Sequence, residues 1–288
     1  MTDLAITVRD LHKTYARGGR EVEAVRGISF HVRRGEIFGL LGPNGAGKTS
    51  TVEILEGYRR RDAGEVSVLG FDPETRDRAF RERVGIVLQS TAFYPRVTVR
   101  EALEHFAAFY PHPRDPGDTI DLVGLADKAD DRTKDLSGGQ RRRLDLALAL
   151  IGDPELVFLD EPTTGFDPAA RRTAWEVIGR LRDLGKTVLL TTHYLEEAQA
   201  LSDRVAIIKE GRLVAEGPPR ELAPGPSAYR VSYERDGRRV EEETADPTEL
   251  LHRLTSDAIA RGEPLENLTV SRRSLEDVYL ELTSEEGT

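Results

Sequence analysis

The run Gly42-Pro43-Asn44-Gly45-Ala46-Gly47-Lys48-Thr49 constrains this chain more than any other stretch. A short apolar run, Ile37 to Leu41, precedes it, and Lys48 to Tyr58 reads as a helix after it. Glycines let the backbone curl until its N–H groups converge, and the start of the following helix adds positive partial charge. The pattern is that of a phosphate-binding loop: Lys48 is expected to reach the β- and γ-phosphates of a nucleotide, and Thr49 to offer a hydroxyl oxygen to Mg²⁺. Ser50, next along, is grouped with these nucleotide-binding residues. A glycine-rich turn without a ligand is the alternative, and it leaves the lysine, the hydroxyl and the strand–loop–helix setting unexplained. Such a loop works only between a strand and a helix, so the chain is expected to hold an α/β core.

The rest of the sequence supplies that core. Leu4 to Val8 and Glu21 to Arg33 have strand character, the second interrupted by Gly27. Gly64 to Leu69, Val84 to Leu88, Leu156 to Leu159, Thr187 to Thr191, Arg204 to Ile208 and Arg212 to Glu216 read as further strands. Thr98 to Tyr110 reads as a helix capped by Thr98, with Glu101 as its capping-box partner. A second helix over Asp118 to Leu125 and a third over Gly138 to Ile151 complete a helical subdomain at about residues 90–150. Asp167-Pro168 begins a helix with a cap and a first-turn proline, and Gly185 ends it. Strands alternating with helices favour a parallel sheet. Pro218-Pro219 and Pro224-Gly225-Pro226 punctuate the chain, so a large nucleotide-binding domain is expected over 1–222 and a small accessory one over 223–288. In the latter, strands at Tyr229 to Glu234 and Arg238 to Thr244 flank an Asp236-Gly237 turn. Pro247 to Arg261 reads as a helix, Leu265 to Val270 as a strand, Leu275 to Leu282 as a last helix, and Ser284 to Glu286 as a disordered tail.

Composition excludes several classes of function. A net charge of −10 argues against general nucleic-acid binding. With no cysteine, disulfide and thiolate chemistry are impossible, which fits a cytosolic setting. The N-terminus has no secretory pattern, and apolar runs such as Leu146 to Ile151 are too short to span a bilayer. Any membrane role is therefore expected to come through a partner.

Asp160-Glu161 closes the apolar strand Leu156-Val157-Phe158-Leu159. At the carboxyl edge of a parallel sheet, where α/β proteins bind ligands, Asp160 is expected to hold Mg²⁺ through water and Glu161 to act as general base. A solvated loop is the alternative for such a pair standing alone. Ser137 is placed to cap the helix beginning at Gly138, and the N-terminus so formed is suited to an anion. The neighbouring Arg141-Arg142-Arg143 reads as a solvated helix face.

Leu136-Ser137-Gly138-Gly139-Gln140, set between the phosphate loop and the Asp-Glu strand, resembles the signature of the ABC ATPases. The resemblance covers about Leu4 to Gly217 and implies a P-loop NTPase fold of the ABC type. The architecture it implies has an antiparallel β subdomain, a helical subdomain and, here, a small C-terminal α+β appendix. It also implies a head-to-tail dimer in which each ATP lies between one subunit's phosphate loop and the other's Ser137, Gly138, Gly139 and Gln140. Gln89 resembles the glutamine that contacts Mg²⁺ and the attacking water, His193 the switch histidine that contacts the γ-phosphate, and Tyr15 the aromatic that stacks on adenine. Asp167 matches the loop that crosses the dimer interface, where Phe166 departs from the usual leucine. The structural alternatives are a strand-end glutamine in solvent, a packed histidine and a packed tyrosine.

Thr163-Thr164-Gly165-Phe166-Asp167-Pro168, Val84 to Gln89 and Ser274 to Leu280 are similar to the daunorubicin-resistance type of drug and antibiotic exporter ATPases. That resemblance implies a separate integral-membrane permease, a second and identical ATPase subunit, and a place on the inner face of the cell membrane. Phe93, Tyr94 and Phe106 are candidates for a groove receiving a cytoplasmic helix of the permease, with core packing the expectation for Phe106. An importer subunit and a soluble, non-transport ABC ATPase are the competing readings. The Glu161 and His193 pair opposes a third, that of a module which binds ATP without hydrolysing it.

Overall fold

The computed structural model describes residues 3–17, 19–87, 95–222, 229–235 and 237–272, with Leu275, Asp277 and Tyr279. Gln89, Phe93, Tyr94, Pro224 to Pro226, Asp236, most of the expected 275–282 helix and the 284–286 tail lie outside the described residues. The chain divides into two compact units, Met1–Glu216 and Gly217–Thr288.

Two sheets build the first unit. β1 (Leu4–Arg17), β2 (Arg20–Arg33) and β4 (Ala63–Val68) form an antiparallel sheet in the order β2-β1-β4. β1 runs well beyond the expected Leu4 to Val8, because bulges between Val8 and Leu11 and again near His12 break the period-two pattern that marks a strand. The second sheet runs β5-β6-β7-β3-β8-β9, from β3 (Ile37–Leu41), β5 (Val84–Val87), β6 (Leu156–Asp160), β7 (Thr187–Thr192), β8 (Arg204–Lys209) and β9 (Arg212–Gly217). The pairs β5–β6, β6–β7, β7–β3 and β3–β8 are all parallel.

The middles of these central strands are apolar because both of their faces are covered. Alternate side chains enter different cores. Ile37, Val157, Leu159, Val188 and Leu190 pack with the helices, whereas Phe38, Leu40, Leu156, Phe158 and Leu189 pack with the antiparallel sheet. Phe30 and Phe38 stack at 5.5 Å between ring centres and join the two sheets.

Helix α1 (Lys48–Leu55) follows β3 and stops before the expected Tyr58. Gly57 takes φ +78°, and a Cβ there would lie 2.6 Å from the Pro73 carbonyl, so the chain turns away. The short α2 (Arg78–Glu82) leads into β5. Helices α3 (Val99–Ala107), α4 (Pro116–Leu122) and α5 (Gly138–Leu150) pack Val99, Leu103, Ile120, Leu144 and Ala147 into one core. The capping box at Thr98 and Glu101 is present. Helix α6 (Pro168–Asp183) is capped by Asp167 and ends ahead of Gly185 at φ +69°. Helix α7 (Leu195–Leu201) then links β7 to β8.

In the second unit, α8 (Pro219–Leu222) precedes β10 (Tyr229–Arg235), β11 (Arg238–Thr244), α9 (Pro247–Arg261) and β12 (Glu266–Arg272). The strands are antiparallel in the order β11-β10-β12. Val231 and Tyr233 pack on Leu250 and Leu254 of α9, a small core that one amphipathic helix closes.

Candidate nucleotide site

Register brings the site together. Leu41 pairs with Thr192 and Asp160 with Thr191, so β3, β7 and β6 end side by side. Gly42, His193 and Glu161, one residue past those ends, therefore share the carboxyl edge of the sheet.

The phosphate loop is held from below. Gly42, Gly45 and Gly47 take φ of +156°, +80° and +107°. A Cβ on Gly47 would stand 2.3 Å from the Ala24 carbonyl, and one on Gly42 2.3 Å from that of Ile208, so the loop lies against the backbone of both sheets. Gly211 N–H donates to the Ala46 carbonyl at 2.9 Å, and Ala46 N–H to that of Pro43 at 3.1 Å. Asn44 and Gly45 lie at the exposed crest of the loop. The Lys48 ammonium donates to the carbonyls of Gly42 at 2.6 Å and Pro43 at 3.1 Å. Burial lowers the pKa of Lys48, and the nearby charges of Glu161 and Asp160 oppose that shift. No side chain caps α1, which leaves its first N–H groups to the loop's concave side.

Tyr15 stands beside the same helix: its hydroxyl donates to Ser50 Oγ at 3.0 Å, and Arg59 and Lys13 flank its ring at 5.2 and 5.5 Å. Thr49 is exposed at the mouth of the loop.

Across the sheet edge, Glu161 departs from ordinary backbone geometry, with φ +46°. Its N–H donates to both the carbonyl and the Oγ1 of Thr191, each at 3.1 Å, which holds the turned-back conformation. Its Oε1 meets His193 Nδ1 at 3.2 Å and its Oε2 accepts from Thr164 Oγ1 at 3.1 Å. Asp160 Oδ1 accepts from Thr191 Oγ1 at 2.5 Å. Thr191 thus holds the Asp160 carboxylate and the backbone of Glu161, a role that the sequence does not announce. A threonine at the end of the strand beside an Asp-Glu pair was the available signal.

Arg142 was missed as well, and the expectation of a solvated arginine face is wrong for two of its three residues. Arg142 lies half-buried, donating to the Asp160 carbonyl at 2.8 Å and the Pro162 carbonyl at 3.2 Å. Arg143 donates to the Gly124 carbonyl at 2.6 Å. A helix placed over a strand end offers long side chains to carbonyls that the sheet cannot satisfy, and i to i+1 neighbours on one helix then face different surroundings. Arg141 alone of the three is exposed.

Ser137 caps α5 in a reciprocal capping box: its Oγ accepts from Gln140 N–H at 3.2 Å, and Gln140 Oε1 accepts from Ser137 N–H at 2.8 Å. Ser137 and Gly138 are exposed. A Cβ on Gly138 would meet nothing within 4 Å, and one on Gly139 only the Ala170 Cβ at 3.6 Å. Asp167 caps α6 by accepting from the N–H groups of Ala169 and Ala170, both at 2.9 Å.

A separate cavity of about 510 Å³ opens between α1, β5, α3 and α5, lined in part by Glu56, Phe80, Ile86, Phe106 and Tyr110. Phe106 is 39% exposed here and does not pack the subdomain core as expected, because it lies on the outer face of amphipathic α3, its ring against that of Phe109 just beyond the helix. Glu56 is buried beneath this cavity. Burial, and then the charges of Asp160 and Glu53, push its carboxyl up to about 8.

The edge fits a nucleotide and a hard cation. Glycines packed too closely for any Cβ make a cradle of N–H groups, and a buried lysine sits at its base. Thr49 and Asp160 offer oxygen only, the donor type Mg²⁺ takes. That suits an ion which binds through one or two side chains together with phosphate and water.

Comparison with known proteins bears on the family. The family described as ABC transporter matches residues 25–164. The chain is 40% identical over 311 residues to the Nod factor export ATP-binding protein I of Burkholderia orbicola, covering 99% of both. It is 39% identical over 312 residues to the protein of that name in Sinorhizobium fredii, covering 99% of this chain and 88% of the other. Among solved structures, cbiO1 from Clostridium perfringens, part of the ABC transporter complex cbiONQ, matches with a TM-score of 0.68 and 28% identity over 76% of this chain and 90% of that one. A dimeric ATP-binding cassette in a post-hydrolysis state with ADP and Pi matches with a TM-score of 0.66 over 74% of this chain and 98% of that one; at 24% identity it speaks for the fold alone.

Proposed function

The chain belongs to the ATP-hydrolysing subunits of ABC transporters, and from that premise we propose that it powers export of a drug, antibiotic or other hydrophobic compound through a separate membrane permease. Relatives that carry an export name and match nearly the whole chain support the direction of transport. Among the described residues no helix is long and apolar enough to cross a membrane, so the reading assigns the pathway to a partner and holds this subunit at the inner face of the membrane through it. The cavity lined by Phe106 and Tyr110 is the surface we assign to a cytoplasmic helix of that permease. The 1–222 and 223–288 division into ATPase and accessory domains belongs to the same proposal.

One observation carries the catalytic reading. At the shared sheet edge, Glu161 meets His193 at 3.2 Å, and their strands β6 and β7 lie two and one places from β3, which leads to the phosphate loop and Lys48. In this reading the loop N–H groups and Lys48 hold the β- and γ-phosphates. Glu161 accepts the proton of the attacking water, and His193 holds that carboxylate in place and reaches toward the γ-phosphate. Thr49 and Asp160 hold Mg²⁺, which when bound neutralises charge building on the phosphate oxygens; Gln89 is assigned to the same ion. Tyr15 takes the adenine.

The cap at Ser137 already uses its Oγ within its own helix, but its helix N-terminus faces outward. We assign that N-terminus, Ser137 to Gln140, to the γ-phosphate held by a second, identical subunit, with Asp167 at the same interface.

Replacing the base tests both halves. Glu161→Gln is expected to bind ATP, lower turnover by at least about 10²-fold, the size of a lost general base, and accumulate as a dimer with ATP and Mg²⁺. Light scattering that finds only monomer would sink the shared-site arrangement. Turnover at the unaltered rate would remove Glu161 from the mechanism.

A further inference from the structure

The catalytic pair is held by a closed ring of contacts whose far side is a buried carboxyl group. Glu197, on the first turn of α7, is fully buried. Its Oε1 accepts from Thr163 Oγ1 at 2.7 Å and from the indole N–H of Trp175 at 3.0 Å. Among the described residues its Oε2 is buried without a hydrogen-bond partner.

A glutamate at the third position of a helix commonly reaches back to the N–H of the capping residue. Here that N–H, on Tyr194, donates to Thr192 Oγ1 at 2.9 Å instead, and α7 has no side-chain cap. The carboxyl group turns inward and ties three segments together: the loop after β6, helix α6 through Trp175, and helix α7. Burying it there with one oxygen unsatisfied is costly, so packing alone gives no reason for a glutamate where an apolar residue would fit.

The ring can be followed atom by atom. Thr163 is pinned to Glu197. The next residue, Thr164, donates to Glu161 Oε2 at 3.1 Å. Glu161 Oε1 meets His193 at 3.2 Å, and His193 lies four residues before Glu197 on the segment that enters α7. Outside the ring, Arg171 of α6 stacks over Tyr194 at 4.3 Å, and Tyr194 lies 4.1 Å from the His193 ring. The separation of the two catalytic side chains is thus set by how firmly the loop after β6 is fastened to α7.

We propose that Glu197 is a positioning residue for ATP hydrolysis: by accepting from Thr163 it fixes the loop that aims Glu161 relative to the segment that carries His193. The proposal rests on the assignment of Glu161 and His193 made above.

Three variants test it. Glu197→Ala should lower kcat by about 10- to 100-fold, as small misplacements of reacting groups do, while KM for ATP stays within about twofold because the phosphate loop is outside the ring. Glu197→Gln, whose amide oxygen accepts the same two donors, should recover most of that loss. Thr163→Val removes the loop bond alone, so kcat should fall while the emission of Trp175, the chain's single tryptophan, stays at its unaltered wavelength. Should Glu197→Ala fail to fold, Thr163→Val carries the test. A folded Glu197→Ala or Thr163→Val enzyme with unaltered kcat overturns the proposal, as does a Glu197→Gln enzyme no better than the alanine variant. Glu161→Gln run alongside separates the two levels: if it hydrolyses ATP normally the catalytic assignment fails, whereas if it is inactive and Glu197→Ala is not, only the positioning role fails.

Discussion

The phosphate loop and the signature stretch are both glycine-rich turns leading into helices, yet they use glycine for opposite reasons. In the phosphate loop the chain itself forbids a side chain, since a Cβ on Gly42 or Gly47 would strike backbone 2.3 Å away. In the signature, Gly138 has ordinary helical geometry and open space above it. The first site is complete in one chain; its glycines are demanded by packing. The second has no internal need for glycine, which is unfavourable in a helix by roughly 1 kcal/mol relative to alanine. In the proposed dimer, the open space above this exposed helix N-terminus is where the second subunit's phosphate would enter.

Substitutions can break that contrast. The largest effect is expected for Gly47→Ala, which must move the loop off the Ala24 carbonyl. ATP affinity should fall more than about tenfold, since a side chain in left-handed geometry already costs roughly 1–2 kcal/mol. Calorimetric titration that finds unaltered affinity would show that the cradle tolerates a side chain after all. Gly138→Ala should do the reverse: thermal unfolding of the ATP-free chain rises by the equivalent of about 0.5–1 kcal/mol, while ATP-driven dimer formation and turnover fall. A variant both more stable and fully active would mean that nothing approaches Gly138, and the contrast would collapse.

A pH-dependent effect concerns two carboxyl groups that belong to neither turn, Glu56 and Glu155. Glu56 is raised to about 8 by burial, so its neutral form is the one the fold prefers. Between its ordinary value of 4.5 and about 8 the unfolded chain has lost a proton that the folded chain keeps, and stability from this group falls as pH rises through that window. Glu56→Gln should therefore leave stability nearly unchanged near pH 5 and raise it by up to a few kcal/mol above pH 8. Denaturant midpoints at the two pH values measure this directly. Glu155 has the opposite sign: its bonds to Arg83 and Arg34 hold its carboxyl at about 2, so its contribution is present above 4.5 and fades as pH falls toward 2.

Legibility in the sequence followed the range of the interactions. Where neighbours a few residues apart decide the structure, as in the capping boxes at Thr98 and Ser137 or the helix Pro247–Arg261 bounded by Asp246 and Gly262, the residues announce it. The full length of strand β1 is hidden in the sequence because its bulges break the alternation. Arg142 was read as solvated because its partners, the carbonyls of Asp160 and Pro162, lie 18 and 20 positions away along the chain. The buried link from Glu197 to Thr163 spans 34 positions, and no local pattern encodes it.

By itself the sequence determined the chemistry on offer: a lysine and hydroxyl after a glycine-rich loop, an Asp-Glu pair closing an apolar strand, and a signature whose glycines no local rule requires. Those are properties of residue type and spacing, and they survive any detail of packing. Only the tertiary structure decided which of these groups meet. The parallel register of β3, β7 and β6 sets three distant segments at one edge, and Thr191, Arg142 and Glu197 aim what stands there. The physical reason is that orientation is fixed by contacts across the fold, made through strand pairing and burial, and such contacts leave no mark on the residues immediately beside them.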